Sequence, residues 1–438
     1  MLDINTIRNS PELVKKSLEK RKDTEKLTWL KDLLRKDKES SKLKKEIDDL
    51  RHERNVISKK INELKKQNKS ATTEINKAKQ LPRQIQLAEE KYTQIQEKIK
   101  HYLMRIPNIL HKDVKYGKDE TANIVRKKVG TIPKFSFPIK NHVELLESLN
   151  LIDFDASAKV SGNGFYYLKG ELGLLNQALI KFTIESLQKK KYEYIEPPLM
   201  VNKKVVEAAG DLTAFETALY KVEDEDAYMI PTAEHAILGM LTNKTILEED
   251  LPLKYFGYSM CFRKEIGSHG INEKGLWRTH QFNKIEQFIF SHPKNSWKYY
   301  DELRNNTEDL MRKLKLPYRV LEMCTGDLGI WKARSEDIEV YRPTTKEYGE
   351  VASLSNCTDF QTRSLNIKGK NKQGKKYVLH SLNNTAIATS RILVAIIENY
   401  QQKDGSIKVP TVLQKYMDGI KKIGSEDAKN KRSRKNSK

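Results

Sequence analysis

Two spacings of apolar positions divide this chain. Between about 27 and 104, Leu43, Ile47, Leu50, Arg54, Ile57, Ile61 and Leu64 recur four and three apart. That is an a/d heptad seam with one polar intruder, Arg54. A second seam follows at Leu81, Ile85, Ala88, Tyr92, Ile95, Ile99, Tyr102 and Ile106. The polar stretch 66–76 between them is weakly patterned, so the spacing predicts an antiparallel helical hairpin, a long arm. Each helix needs the other, because so narrow a stripe cannot be buried alone. Pro82 is expected near the start of the second helix or at a kink. Upstream, residues 1–26 read as a short amphipathic helix with Ser10 as its cap and Pro11 at the first helical position.

Past a linker at 107–130, the pattern changes. From 131 to 420 glycine, proline and aromatics return, and short alternating runs stand between helices. This predicts an α+β domain on an antiparallel sheet flanked by helices. Residues 421–438 form a basic, low-complexity tail expected to stay disordered. The organisation is thus an N-terminal domain at 1–106 carrying the coiled-coil arm, a linker, a sheet domain and a tail.

Composition adds a partner class. Of 438 residues, 81 are Lys or Arg and 59 Asp or Glu, a formal charge of +22. That excess fits a polyanion such as RNA, and the lysine-rich faces of the arm fit its backbone. A solvated basic surface explains the same charge. The three cysteines, Cys261, Cys324 and Cys357, are far apart, so neither a disulfide framework nor a structural zinc is expected. The opening has no apolar signal region, and the longest apolar run, Ile392–Ile397, is too short to span a bilayer. A cytoplasmic location without a membrane partner is expected.

Candidate chemistry concentrates between Tyr255 and Phe290, whose outer thirds read as strands around a long loop with three glycines. Period-2 geometry sets Arg263 and Glu265 on one face of the first strand and Phe282 and Glu286 on one face of the second. A cross-strand ion pair of Arg263 with Glu286 is the simpler alternative. Farther on, 386–397 reads as an apolar helix around one cation, Arg391, which needs an anion, either a carboxylate or a phosphate. Before it, 358–367 and 376–383 read as strands joined by Gly369–Lys376. This turn matches the phosphate-binding G-x-x-x-x-G-K spacing, but Lys376 stands where Ser or Thr is needed and no helix follows, so a basic hairpin turn is expected. Glu350 and Ser353 carry oxygens suited to magnesium. Thr232, with Ala233 and Glu234 after it, reads as a helix cap.

Together these segments resemble the class II aminoacyl-tRNA synthetases, and within them the common type of seryl-tRNA synthetase. Motif 1 resembles LIKFTIESLQKKKYEYIEPPLM, ending at Pro198; motif 2 resembles CFRKEIGSHGINEKGLWRTHQFNKIE; motif 3 resembles LNNTAIATSR, ending at Arg391. The Thr-Ala-Glu signature is similar to Thr232–Glu234, and the opening and the arm are also similar to this family. The resemblance implies ATP-dependent activation of L-serine and its transfer to tRNA(Ser), with tRNA(Sec) as a further acceptor left open. It implies Arg263 on the α-phosphate and serine carboxylate, Glu265 on the adenine, and Arg278 on the γ-phosphate side of a bent ATP. Phe282 would stack under the adenine and Arg391 above it. Thr279, Lys264, Val351 and Ala352 would complete the ATP contacts. Glu286 would bind the serine amino group and hydroxyl, Thr232 and Glu234 would line the serine pocket, and Asn383 and Thr385 would read the hydroxyl. Catalysis would centre on Arg263, Glu286 and Arg391, with Mg2+ held at Glu350 and Ser353 beside ATP. A homodimer follows from motif 1, and the arm would grip the tRNA. The rival readings are a tRNA-binding scaffold with a dead site, which predicts a broken residue set, and a carrier-loading paralogue, which predicts no arm.

Overall fold

The structure, a computed structural model, describes residues 1–210, 216–265 and 274–424. The middle of the loop after Glu265, residues 266–273, and the tail from 425 lie outside the described residues. The chain forms two compact units, Met1–Ile109 and Leu110–Lys438.

In the first unit the chain opens with two helices, α1 (Ile4–Asn9) and α2 (Pro11–Arg21), instead of one over 1–26. The break falls at Ser10, because Pro11 has no N–H to continue a helix and suits a first turn. Ser10 occupies the cap position without a side-chain capping bond. Two long helices follow, α3 (Thr24–Lys66) and α4 (Thr72–Arg105), packed on each other. At 1.5 Å per residue α3 is about 65 Å long. The heptad seams supply the buried stripes, with Leu43, Ile47 and Ile57 buried on one helix and Leu81, Ile85, Ala88, Ile95 and Ile99 on the other, while Leu50, Ile61, Leu64, Tyr92 and Tyr102 are half-buried. Each buried isoleucine contributes roughly 2 kcal/mol. Arg54 stays exposed. Pro82 lies well inside α4, not near its start. The helix reaches back to Thr72 because Ala71 is buried and Lys60 pairs with Glu74 at 2.8 Å, which tie the first turns down on α3.

The second unit is built on an eight-stranded sheet. Its strands are β1 (Ile124–Val129), β2 (Glu193–Ile195), β3 (Leu253–Phe262), β4 (Gln281–Ser291), β5 (Tyr318–Glu322), β6 (Arg334–Arg342), β7 (Glu347–Thr358) and β8 (His380–Ala388). They lie in the order β1-β5-β6-β7-β8-β4-β3-β2, antiparallel throughout except for β2 beside β3. Residues 107–130 are therefore not only a linker, since β1 is the sheet's edge. Its Arg126-Lys127-Lys128 run hides a strand from pattern reading, because an edge strand keeps charges toward water. Lys127 reaches the buried Glu308 at 2.8 Å, and Arg126 pairs with the buried Glu322.

Alternation along β4 and β8 gives the sheet two faces. Ile285, Ile289, Leu382 and Ala386 enter the main core with residues of α5 (Gly170–Gln188), α7 (Ser296–Lys313) and α9 (Thr389–Tyr400). On the other face Phe288 and Phe290 pack with Ala233 and Ile237 of α6 (Ala233–Met240). Gly257 permits that packing, since a Cβ there would come within 2.9 Å of Ile237 and 3.1 Å of Ala233. Strand residues beyond α6 on this face are left to line a cavity.

Three element assignments from sequence change here. Residues 358–367 contain the short helix α8 (Phe360–Ser364), not a strand. The apolar run 386–397 begins as the end of β8 and becomes helical only at Thr389. Lys422–Ile423 pair with Ile407–Lys408, so regular structure extends past residue 420. The hairpin reading of Gly369–Lys376 holds, with Lys368–Lys370 antiparallel to Lys376–Val378. Among the described residues no helix is long and apolar enough to cross a membrane.

Candidate active site

The cavity holds about 600 Å³ and is walled by β4, β7 and β8, the start of α6 and the loop end before β4. Phe282, Lys284 and Glu286 enter it from alternate positions of β4, and Asn383 and Thr385 from β8. Thr385 is the direct register partner of Glu286. Thr232 does two jobs at the mouth of α6. Its hydroxyl accepts the Glu234 N–H at 3.3 Å and also lies 3.5 Å from Glu286 Oε2.

At the floor, Glu286 is 1% exposed and its Oε2 meets Lys284 Nζ at 2.6 Å and the Thr385 hydroxyl at 3.3 Å. A buried carboxylate needs such company. The cross-strand pair of Arg263 with Glu286 does not form; Lys284 takes that place, and Arg263 Nε donates to the Pro231 carbonyl at 3.3 Å. Beside Glu286 stands a second carboxylate. Glu234 Oε1 accepts from Asn383 Nδ2 at 3.0 Å and Gln361 Nε2 at 2.8 Å. Burial, and then the charge of Glu286, push the Glu234 carboxyl up to about 7. His235 also faces the cavity; burial and the neighbouring cations Arg263 and Lys284 lower it to about 3, so it stays neutral.

The other half of the cavity is more cationic. The Arg263 guanidinium lies 5.2 Å from the Phe282 ring centroid. Arg278 Nη1 reaches Glu265 Oε2 at 3.4 Å. Arg391 Nη1 meets the Glu350 carbonyl at 2.8 Å and its Oε2 at 3.0 Å. Its anion within the described fold is thus a carboxylate. Burial raises the Glu350 carboxyl, but Arg391 and then Arg263 outweigh that and hold it below its usual range. The buried Thr279 hydroxyl meets no hydrogen-bond partner among the described residues.

Of the residues singled out from sequence, all but Lys264 and Ala352 line this cavity. Lys264 turns away: its N–H bonds the Ala218 carbonyl and its ammonium sits 5.6 Å over the Tyr220 ring. The strand ends at Phe262, so Arg263 and Glu265 do not share a strand face, and Glu265 takes a left-handed backbone with φ of 49°. Ala352 belongs to the main core. The cause is a bulge: Ile338 pairs with Ala352 and the next residue, Glu339, with Glu350, leaving Val351 as the extra residue. Such a bulge re-aims side chains, and Glu350 and Val351 both reach the cavity. Reading from sequence overlooked Lys284, although period 2 from Phe282 to Glu286 passes through it. It also overlooked His235, Trp277 and Lys332, for which no spacing gave a signal.

Magnesium fits the residues present. Glu350 and Ser353 offer oxygens to the cavity, and Asp337, the register partner of Ser353, has a buried Oδ1 with no partner among the described residues. Burial, and then Glu350, push the Asp337 carboxyl well above its usual range, the situation a nearby cation would relieve. Two protein oxygens plus substrate phosphates are an ordinary magnesium set. Among the described residues no group of three or more His, Cys, Asp or Glu could hold a metal by itself.

Comparison with known proteins bears on this geometry. Residues 1–110 match the seryl-tRNA synthetase N-terminal domain, and residues 220–400 match the class II tRNA synthetase core domain shared by the G, H, P, S and T enzymes. The serine--tRNA ligase of Methanospirillum hungatei is 47% identical over 95% of this chain and 99% of its own. The structure of seryl-tRNA synthetase from Pyrococcus horikoshii complexed with ATP superposes with a TM-score of 0.90 at 42% identity, covering 97% of this chain and 99% of that one. The cytoplasmic serine-tRNA ligase of Naegleria fowleri in complex with AMP gives 0.86 at 31% identity, covering 97% and 98%.

Proposed function

Because the chain belongs to the seryl-tRNA synthetase family, we propose that it uses ATP to convert L-serine to seryl-adenylate and then esterifies the seryl group to the 3′ end of tRNA(Ser). The observation that carries this is a cavity with a buried carboxylate–ammonium–hydroxyl cluster at one end and guanidiniums at the other.

The cluster suits serine. Glu286 would accept the substrate ammonium and hydroxyl, with Thr232, Asn383 and Thr385 around them. A site that hydrogen-bonds a hydroxyl rejects alanine, since its own polar groups would be left unpaired. Arg263 would bridge the serine carboxylate and the α-phosphate, offsetting their repulsion and holding them in line. The carboxylate oxygen attacks the α-phosphorus, the bond to the β-phosphate oxygen breaks, and diphosphate leaves. Arg278 would hold the departing phosphates and Thr279 donate to the nucleotide. Phe282 and Arg391 would flank the adenine, and Glu265 would accept from its amino group. Glu350 and Ser353 would hold Mg2+, which neutralises phosphate charge when bound. In the second step the ribose 3′ hydroxyl attacks the seryl carbonyl and AMP leaves.

The lysine-rich arm of α3 and α4 would bind the tRNA by shape and backbone. A homodimer and a cytoplasmic setting belong to the same reading, and sedimentation checks the first. The test is serine-dependent exchange of labelled pyrophosphate into ATP, against threonine, alanine and glycine, followed by charging of tRNA(Ser). Exchange with serine alone is expected. Deleting residues 40–95 should spare exchange and abolish charging. Folded protein with Mg2+ that exchanges with none of the four amino acids would favour the scaffold reading.

A further inference from the structure

His142 opens the short helix His142–Ser148, far in sequence from every cavity residue, yet it reaches the end of the loop that carries Arg278. Its Nε2 accepts the Leu276 backbone N–H at 3.1 Å. Its Nδ1 lies 3.1 Å from Glu398 Oε1. An imidazole nitrogen accepts only when it carries no proton, so the ring proton belongs on Nδ1 and is donated to Glu398. Glu398 is fully buried and takes two more donors, Arg342 Nη2 at 3.2 Å and the Thr344 hydroxyl at 2.7 Å.

Arg342 then returns to the loop. Its guanidinium lies 4.4 Å from the Trp277 ring centroid. The Arg391 guanidinium lies 5.5 Å from the same ring, and Arg391 Nε donates to the Trp277 carbonyl at 3.4 Å. The circuit closes from Leu276 through His142, Glu398 and Arg342 to Trp277. Two glycines show how closely it is packed. A Cβ at Gly275 would sit 3.0 Å from His142 Nε2, and one at Gly349 would collide with the Trp277 ring. Trp277 and Arg391 both line the cavity, whereas His142, Glu398 and Arg342 do not.

We propose that His142 and Arg342 are positioning residues for the nucleotide half of the site, clamping the Leu276–Trp277 backbone and ring so that Arg391 is held facing the bound nucleotide. Neither touches substrate. His142 fixes the loop backbone, Arg342 fixes the ring, and the buried Glu398 joins the two so that one does not shift without the other. Among the described residues the serine end of the cavity, on β4, β8 and α6, shares no hydrogen bond with this circuit, so a loosened clamp should be felt by ATP alone. The inference rests on the ATP reading of this cavity.

The test uses the full chain and pyrophosphate exchange, with KM and kcat measured separately for ATP and serine and ATP binding measured at equilibrium. In His142→Ala the KM and Kd for ATP should rise about tenfold, while the serine KM stays within about twofold. Arg342→Lys keeps a cation for Glu398 but gives up the flat guanidinium against Trp277, and should raise the ATP constants about threefold in the same selective way. If His142→Ala does not fold, the Arg342→Lys result decides. ATP and serine constants rising together would mean a merely structural role and overturn the proposal, as would an unchanged ATP constant in either folded variant. If the unaltered protein shows no exchange, the proposed function fails, and equilibrium ATP binding by the two variants still decides the clamp. Failure of the unaltered protein to bind ATP overturns both.

Discussion

The α3–α4 hairpin and the cavity wall treat charge in opposite ways. Across the hairpin, Arg51 and Glu89 pair at 2.7 Å with side chains 49% and 42% exposed. On the cavity floor, Lys284 and Glu286 pair at 2.6 Å with side chains 10% and 1% exposed. The first pair can be lost at little cost, because water replaces either partner. The second cannot, because removing one member strands the other out of water. Stability in the arm is spread over many similar apolar positions. In the cavity, function is held by a few polar groups, each needing its neighbours.

Point substitutions should expose that contrast. Glu286→Ala leaves Lys284 buried without its carboxylate and removes the proposed serine ligand. Serine-dependent exchange should fall by at least about 100-fold, with roughly 3–5 kcal/mol lost in thermal or denaturant unfolding. Near-normal exchange would break the comparison at its strongest point. Ile95→Ala, on the buried seam of α4, should cost about 2–4 kcal/mol of arm stability, read by hydrogen exchange across α3 and α4. Exchange of pyrophosphate should not change. An equal loss of serine activation would mean the arm supports the sheet unit.

The smallest effect concerns Glu234, whose carboxyl is held near 7 by burial and Glu286. Its neutral form is favoured in the fold, so its contribution to stability is present at low pH and lost as pH rises from 4.5 toward 7. Serine binding has the opposite sign, because a substrate ammonium favours the ionised carboxylate. The serine KM should therefore rise as pH falls below 7, by up to about tenfold per unit, and this slope should vanish in Glu234→Gln. A KM that is flat from pH 6 to 8 in the unaltered protein would mean that the charge of Glu234 is not felt by the serine ammonium.

Legibility followed the same division. The arm was readable because each seam residue is close in sequence to the next one it stacks with, and seven-residue spacing survives without knowledge of the rest. The strands of the cavity wall were readable for the same reason over shorter runs, as with Phe282 and Glu286. Errors fell where a local rule met a tertiary constraint. Ala352 was misplaced because the extra residue Val351 shifts the alternation of β7 against β6. Residues 360–364 looked strand-like but form a helix that sets Gln361 between the Ala209 carbonyl and Glu234. The edge strand β1 was hidden by its own charges, which pair with glutamates buried elsewhere in the sheet unit.

By itself, the sequence determined the hairpin, the antiparallel sheet, the family resemblance and most of the residue types around the cavity. These depend on periodicity and on motifs whose members lie close together. Only the tertiary structure decided that Lys284 and not Arg263 neutralises Glu286, that Arg391 rests on Glu350, and that His142 and Glu398 brace a loop more than a hundred residues distant from either. The physical reason is that a buried charge is satisfied by whatever the fold brings within about 3 Å of it, and distance along the chain carries no information about that.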